Sequence, residues 1–312
     1  MVKILVSGSV AGRHASLFAA VTKAEKKSGP FAACFCVGAF LGGDLDLDEA
    51  AEARALDALA PSPVPIYYLT GAEAVDSDRA ARFAAKGARW LGRSGCDEIG
   101  GLRVAYLGGG GAAAGAAFDA PAPDDGSDAP VYVRDDVEGL AIAAGSFLRD
   151  GGCDVLLTAA TGANAGSCAR DDGDLAARVA AAGSDTPLGA ALADLKCSYH
   201  FAAAAAGDAG WSLPPYRCGA GNFSRLARPH ALPARGQPKS LRAFSIDAWA
   251  PPHHDLDTAD GAREASLLAG ALRGARRRNR FGISSNSSVS PKSNSFSMIL
   301  EPLNPAARVL DD

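Results

Sequence analysis

The apolar and polar positions of the first third of the chain fall into two alternating kinds of run. Residues 2–7 (VKILVS) are short, apolar and β-branched, and a glycine follows them; this pattern predicts a buried strand. From 13 to 27, Leu17, Phe18, Val21 and Ala24 recur at helical spacing, with Lys23, Lys26 and Lys27 near the end. That stretch predicts a helix, with cations suited to its carboxyl end and SGP at 28–30 as its stop. FAACFCVGAF at 31–40 predicts a second buried strand with Gly38 at its exit. Residues 48–59 predict a helix, and PIYYLTG at 65–71 a third strand. Strand, helix, strand, helix, strand argues for a parallel sheet covered by helices.

Farther along, LRVAYLGG (102–109) predicts a strand, the Gly/Ala/Pro/Asp-rich stretch 112–130 a loop, and 135–149 a helix. CDVLLTA (153–159) predicts another strand, leading into a Gly/Asn-rich loop. After about residue 197 come SYHFAAA, NFSRLAR and LRAFSIDAW, short segments expected to form antiparallel strands completing a second sheet. Alanine runs such as 202–206 and 176–182 blur these patterns, because alanine suits helix, strand and core alike.

The tail differs in kind. Arg273, Arg276, Arg277, Arg278 and Arg280 cluster ahead of a Ser/Asn-rich stretch, so 282–298 is expected to be disordered. A domain over 1–250 and a basic tail over 251–312 follow. Two readings of the arginines stand: a solvated linker end, or a nuclear-import or RNA-backbone patch.

Composition narrows the classes. The chain has 312 residues, 48% hydrophobic and 21% charged, enough for one or two domains with a sizeable core. A formal net charge of -4 argues against a general polyanion binder. No apolar run reaches the ~20 residues of a membrane helix. The first residues enter a strand without the layout of a signal peptide. The seven cysteines show no metal-finger spacing, and Cys34 and Cys36 share one face of an apolar strand, where a buried role is expected. An intracellular, reducing compartment fits this usage.

Candidate chemistry starts at the first turn, Gly8-Ser9-Val10-Ala11-Gly12. It is neither a dinucleotide fingerprint nor a Walker loop. A phosphate cradle of backbone amides is one reading; a tight strand–helix turn that needs positive φ is the other. No C-x-x-C, H-E-x-x-H or G-x-S-x-G occurs. His253 and His254 lie in PPHHD, which reads as an exposed turn; a metal there would need acids from elsewhere. His14 is expected to be partly exposed on its helix. His200 sits within an apolar strand and needs a partner, which marks it first as a satisfied core histidine.

An ordered set of strings carries a family likeness: KILVSGSVAGR, KKSGPF and CFCVGAFLG, then DVLLT at 154–158, YHFA at 199–202, LPPYR at 213–217, SRL at 224–226 and LRAFSI at 241–246. Together they cover about residues 2–248 and resemble the amino-terminal domain of the CwfJ family, the Cwf19-like spliceosome-associated proteins. The resemblance implies an α/β (α+β) fold: a metallophosphoesterase-like two-sheet sandwich flanked by helices, similar to the lariat debranching enzyme. It implies a nuclear role in the late spliceosome, in mRNA splicing and intron-lariat turnover, with spliceosomal proteins and the lariat debranching enzyme as partners; RNA is a further candidate partner through the arginine cluster, and no membrane is expected. The carboxyl-terminal CwfJ domains have no counterpart here, so the chain reads as a truncated, divergent or incomplete member.

The resemblance also exposes what has changed. A two-metal phosphoesterase holds its cations with carboxylates and imidazoles at strand ends. Where such enzymes carry G-D-x-H-G, this chain has Ser9 and Ala11; Ala39 stands where an acid or Asn is expected. Gly71-Ala72-Glu73 replaces a G-N-H-E-like site, and Ala159-Ala160-Thr161-Gly162 follows DVLLT without the Trp-Pro of relatives. His200-Phe201-Ala202 keeps at most one histidine of H-x-H. The expected result is a pseudo-phosphoesterase with no catalytic residue, metal or cofactor. Gly8, Ser9, Gly12, Gly38, Glu73 and His200 would outline a degenerate pocket able to touch phosphate. Two alternatives stand: a divergent metal-dependent phosphodiesterase or nuclease built on Ser9, Glu73 and His200, and an RNA- or nucleotide-phosphate module using the Gly8–Gly12 turn and the arginine cluster.

Overall fold

In the computed structural model the described residues are 1–41, 49–71, 75, 77–109, 132–145, 147, 152–159, 195, 197–204, 207–212, 216–218 and 225–248, with the pairs 263–264 and 299–300. The first strand, β1 (Val2–Ser7), leads into α1 (His14–Ser28) and then β2 (Ala33–Cys36). The helix α2 (Glu49–Asp57), β3 (Ile66–Tyr68), α3 (Ser77–Ala85) and β4 (Ala88–Trp90) continue the alternation. β1 to β3 pair in parallel and in order, as the sequence pattern predicts, and β4 adds to β3 in parallel.

A second sheet begins with β5 (Ser94–Ile99) and β6 (Leu102–Leu107), an antiparallel hairpin. The helix α4 (Arg134–Ala143) packs on this pair. Then follow β7 (Val155–Thr158), β8 (Tyr199–Ala203), β9 (Trp211–Ser212), β10 (Tyr216–Cys218), β11 (Arg225–Leu232) and β12 (Leu241–Ile246). Two short pieces, β13 (Arg263–Glu264) and β14 (Ile299–Leu300), extend the edge beside β10.

Each strand of the first sheet divides its side chains between two cores, as the period of two requires. Ile4, Val6, Phe35, Phe244 and Ile246 face the second sheet and pack with Val104, Leu157, Tyr199 and Phe201. Leu5, Cys34, Cys36 and Tyr68 face the other way, onto Leu17, Phe18 and Val21 of α1, Leu56 of α2 and Phe83 of α3. Helices, sheet, sheet and α4 thus stack in layers, the helix-flanked α/β sandwich of the expected class.

The carboxyl-terminal strands depart from expectation. β8 pairs in parallel with β7, and β11 in parallel with β8, where antiparallel strands were expected. β12 leaves the second sheet and closes the first, antiparallel to β1, with Val2 opposite Ile246 and Ser7 opposite Leu241. The cause is burial on both faces: every residue of β8 is buried, and a strand apolar on both sides does not encode its direction. α3, β4 and β5 have no counterpart in the sequence reading. The predicted loop 112–130 and the tail 282–298 lie outside the described residues. No described helix is long and apolar enough to cross a membrane.

Candidate functional site

The carboxyl ends of β1, β2 and β8 meet at one mouth. Gly8 admits no side chain there: a Cβ would run into the carbonyl oxygens of Leu232 and Pro233. Gly38, at the exit of β2, adopts φ 81°. Its Cβ would strike the Ser9 hydroxyl and stand 2.6 Å from the Ala203 Cβ. Strand ends this near one another leave no room for a Cβ at either glycine, against backbone at Gly8 and against side chains at Gly38.

The turn itself is closed by its own hydrogen bonds. The amides of Val10 and Ala11 donate to the Ala39 carbonyl at 2.7 and 3.0 Å, and the Gly12 amide donates to Phe40 at 3.2 Å. Gly8 donates to the Ser240 carbonyl at 3.2 Å. Ala11 and Gly12 adopt φ 47° and 77°, so the positive-φ turn of the sequence reading is what forms. These amides point into the protein and make no cradle of the P-loop kind. Ala39 is therefore a structural acceptor through its carbonyl, where an enzyme would need its side chain as a ligand.

Two arginines brace the rim. The Arg235 amide donates to the Ser9 carbonyl at 2.7 Å, while Nη1 of Arg13 donates to the Arg235 carbonyl at 2.6 Å. The Arg235 guanidinium reaches Ser240 Oγ at 3.1 Å and, on the first turn of α1, Ser16 O at 3.2 Å and Ser16 Oγ at 3.1 Å.

His200 lies elsewhere. Phe201 and Tyr199 face the inter-sheet core, so His200 and Ala202 occupy the opposite face of the second sheet. There Nε2 of His200 pairs with Thr158 Oγ1 at 2.8 Å, and burial alone lowers its pKa to about 4. This is the satisfied core histidine. The structure groups Gly8, Ser9, Gly12 and Gly38 but places His200 on the outer face of the second sheet. Glu73, the arginines 273–280, His253 and His254 lie outside the described residues. Among the described residues no three His, Cys, Asp or Glu side chains come together to hold a metal.

His14 corrects an expectation. It is buried at the start of α1, with Nε2 donating to the Phe40 carbonyl at 2.9 Å and ring centroids 4.9 and 4.7 Å from Phe40 and Phe83. The helix turns this residue inward because α3 brings Phe83 over it, a contact the sequence reading could not anticipate without α3. It also passed over His230, which is buried, with Nδ1 2.7 Å from Ser212 Oγ and its ring against Phe201 and Phe244. The apolar spacing of His230 in β11 was the available signal.

An α/β sandwich whose strand ends meet in a mouth of glycine, alanine and serine is thus the class of protein defined here. No family model matches the chain. Half of it, over 161 residues, is 31% identical to a protein named CWF19-like protein 1 homolog from Caenorhabditis elegans, of which it covers 27%. It is also 34% identical over 125 residues (34% of this chain) to a zinc finger CCCH domain-containing protein 59 from Oryza sativa subsp. japonica, covering 20% of it. The chain therefore spans about a quarter or less of these curated relatives. The solved structure of TT1561 from Thermus thermophilus superposes on 80% of the chain and 99% of its own, with TM-score 0.49 and 12% identity. The likeness read from the sequence strings is matched by this similarity, over half of the chain, to a protein named Cwf19-like.

Proposed function

We propose that this chain is a non-catalytic module of nuclear RNA processing, a pseudo-phosphoesterase scaffold that assists splicing and intron-lariat turnover. The homology to a Cwf19-like protein supports the splicing-related role. The observation that carries the non-catalytic reading is the mouth itself: Ser9, Ala11 and Ala39 occupy the turns where metal ligands would stand. The amides of Val10, Ala11 and Gly12 are tied to the carbonyls of Ala39 and Phe40. Two-metal hydrolysis needs carboxylate and imidazole ligands around both cations, and a hydroxyl and two methyl groups supply none of that set.

Two experiments test the halves of this reading separately. Metal content by mass spectrometry, before and after a manganese soak, is expected near zero in both; two equivalents would overturn the non-catalytic half. Affinity purification from nuclear extract stalled at late splicing is expected to recover intron-lariat RNA and the debranching enzyme. Absence of both from the eluate would overturn the splicing half.

A further inference from the structure

Two thiols meet beside α4. Cys96 lies in β5, and Cys153 stands just before β7. The Cys153 thiol is hydrogen-bonded to that of Cys96, whose Sγ also stands 3.9 Å from the Leu140 carbonyl of α4. Neither is in a disulfide. Mutual hydrogen bonding sets the two sulfurs side by side, the first requirement for a bond between them. The β5–β6 ladder fixes Cys96 opposite Ala105, whereas Cys153 follows Gly152, at φ 104°, and precedes the ladder of β7, which starts at Val155. Access differs too: Cys96 is half-buried and meets solvent, and Cys153 is wholly buried. The hydrogen bond with Cys96, and then burial, push the Cys153 thiol up and keep it protonated, so an oxidant acts first at Cys96. Cys34 and Cys36 share a hydrogen bond as well, on one face of β2, but both are shut inside the helix-side core. Exposure sets the first pair apart from the second.

We propose that Cys96 and Cys153 form a redox switch, in which an oxidant of the hydroperoxide class joins them in a disulfide that ties β5 to the segment entering β7. The Cys96 sulfur takes one oxygen of the peroxide as the O–O bond breaks; Cys96 becomes a sulfenic acid and the other oxygen leaves as water. The Cys153 sulfur then attacks the Cys96 sulfur. The S–O bond breaks, the S–S bond forms, and hydroxide departs with the Cys153 proton as a second water. Two electrons pass from the thiols to the peroxide, and a thiol reductant returns them. The switch acts on β5 and on the contact that Cys96 makes with α4, and it does not depend on the RNA-processing reading.

The test exposes the full chain to hydrogen peroxide, alkylates the remaining thiols in denaturant and maps the unreduced peptides by mass. The expected product joins the Cys96 and Cys153 peptides, lighter by two hydrogens than the separate pair and restored by dithiothreitol, with Cys34 and Cys36 alkylated. Hydrogen exchange in Ser94–Ile99 should fall on oxidation and recover on reduction. Cys153→Ser should instead stop at a Cys96 sulfenic acid that dimedone traps. The proposal is overturned if the wild-type chain gives the dimedone adduct at Cys96 and no cross-link, or if both thiols stay open to alkylation. It is overturned equally if Cys153 pairs with Cys197, or if Cys34 and Cys36 oxidise first. The wild-type map needs no variant, so it stays decisive even where Cys153→Ser does not fold.

Discussion

Arg103 and Asp154 form an ion pair from which water is wholly excluded: Nη2 stands 3.0 Å from Oδ1, and neither side chain has exposed surface. Oδ2 accepts from the Arg103 backbone amide at 2.8 Å and from its Nε at 3.2 Å. The pair ties the starts of β6 and β7 together on the outer face of the second sheet. Removing one partner strands a charge in the interior. Asp154→Ala should cost about 3–5 kcal/mol, read as the shift of a urea midpoint. A double replacement of Arg103 and Asp154 by apolar residues of similar volume should recover most of that loss. A cost under about 1 kcal/mol for the single variant would show the charge reaching water.

His200 makes stability depend on acid. An unfolded histidine takes up its proton near 6.5, whereas burial lowers this one to about 4 in the folded chain. Between those values the unfolded state binds the extra proton, so the His200 contribution is intact above pH 6.5 and drains away as pH falls toward 4. The change should approach about 3 kcal/mol at full protonation. Urea melts across that range should be flatter for His200→Gln than for the wild-type chain. Parallel curves would remove His200 as the cause.

Gly38 and Gly8 should resist alanine to different degrees. In Gly38→Ala the new methyl meets two side chains, the Ser9 hydroxyl and the Ala203 methyl, at a positive φ. In Gly8→Ala it meets two backbone carbonyls, which cannot rotate away. Both should lower stability by about 1–3 kcal/mol or more, and Ser9→Gly should relieve Gly38→Ala only. Thermal melts of the four variants check this, and relief of Gly8→Ala by Ser9→Gly would contradict the geometry.

Asp136 holds α4 to the sheet. Its Oδ2 accepts from the Val133 amide at 2.8 Å and from Arg93 Nη2 at 2.6 Å, and its Oδ1 from Arg93 Nε at 3.1 Å. Asp136→Ala should loosen α4 before the rest of the molecule, by about 1–3 kcal/mol. Hydrogen exchange should rise in 134–143 and stay unchanged in β1 and β2; a uniform rise would mean the helix is not separately held.

Legibility in the sequence tracked how many neighbours an element needs. β1 and α1 were readable because their patterns are local: Ile4 and Val6 oppose Leu5, and Leu17, Phe18 and Val21 share a stripe. Arg103 was not, because an arginine inside LRVAYLGG reads as a solvent position until Asp154 is brought beside it. The destination of β12 was hidden for the same reason, since LRAFSI alternates correctly for either sheet. At the mouth, that Ser9, Ala11 and Ala39 offer neither carboxylate nor imidazole needed only sequence. That the turn amides were already engaged, and that His200 faced the far side of its sheet, needed the partner strands.

The pairing of β1 with β12 has a consequence for the order in which the molecule can form. β1 is flanked on one side by β12, more than 230 residues later in the chain, with Lys3 opposite Ser245 and Leu5 opposite Ala243. Until β12 arrives, β1 presents a bare edge, and the inter-sheet core lacks Phe244 and Ile246. A contact spanning so much of the chain closes slowly, because the loop entropy must be met before the pairing returns anything. A nascent chain therefore carries an adhesive, half-finished sheet from the emergence of β1 until that of β12. Chaperone dependence and edge-to-edge aggregation should be set by the arrival of residues 241–246.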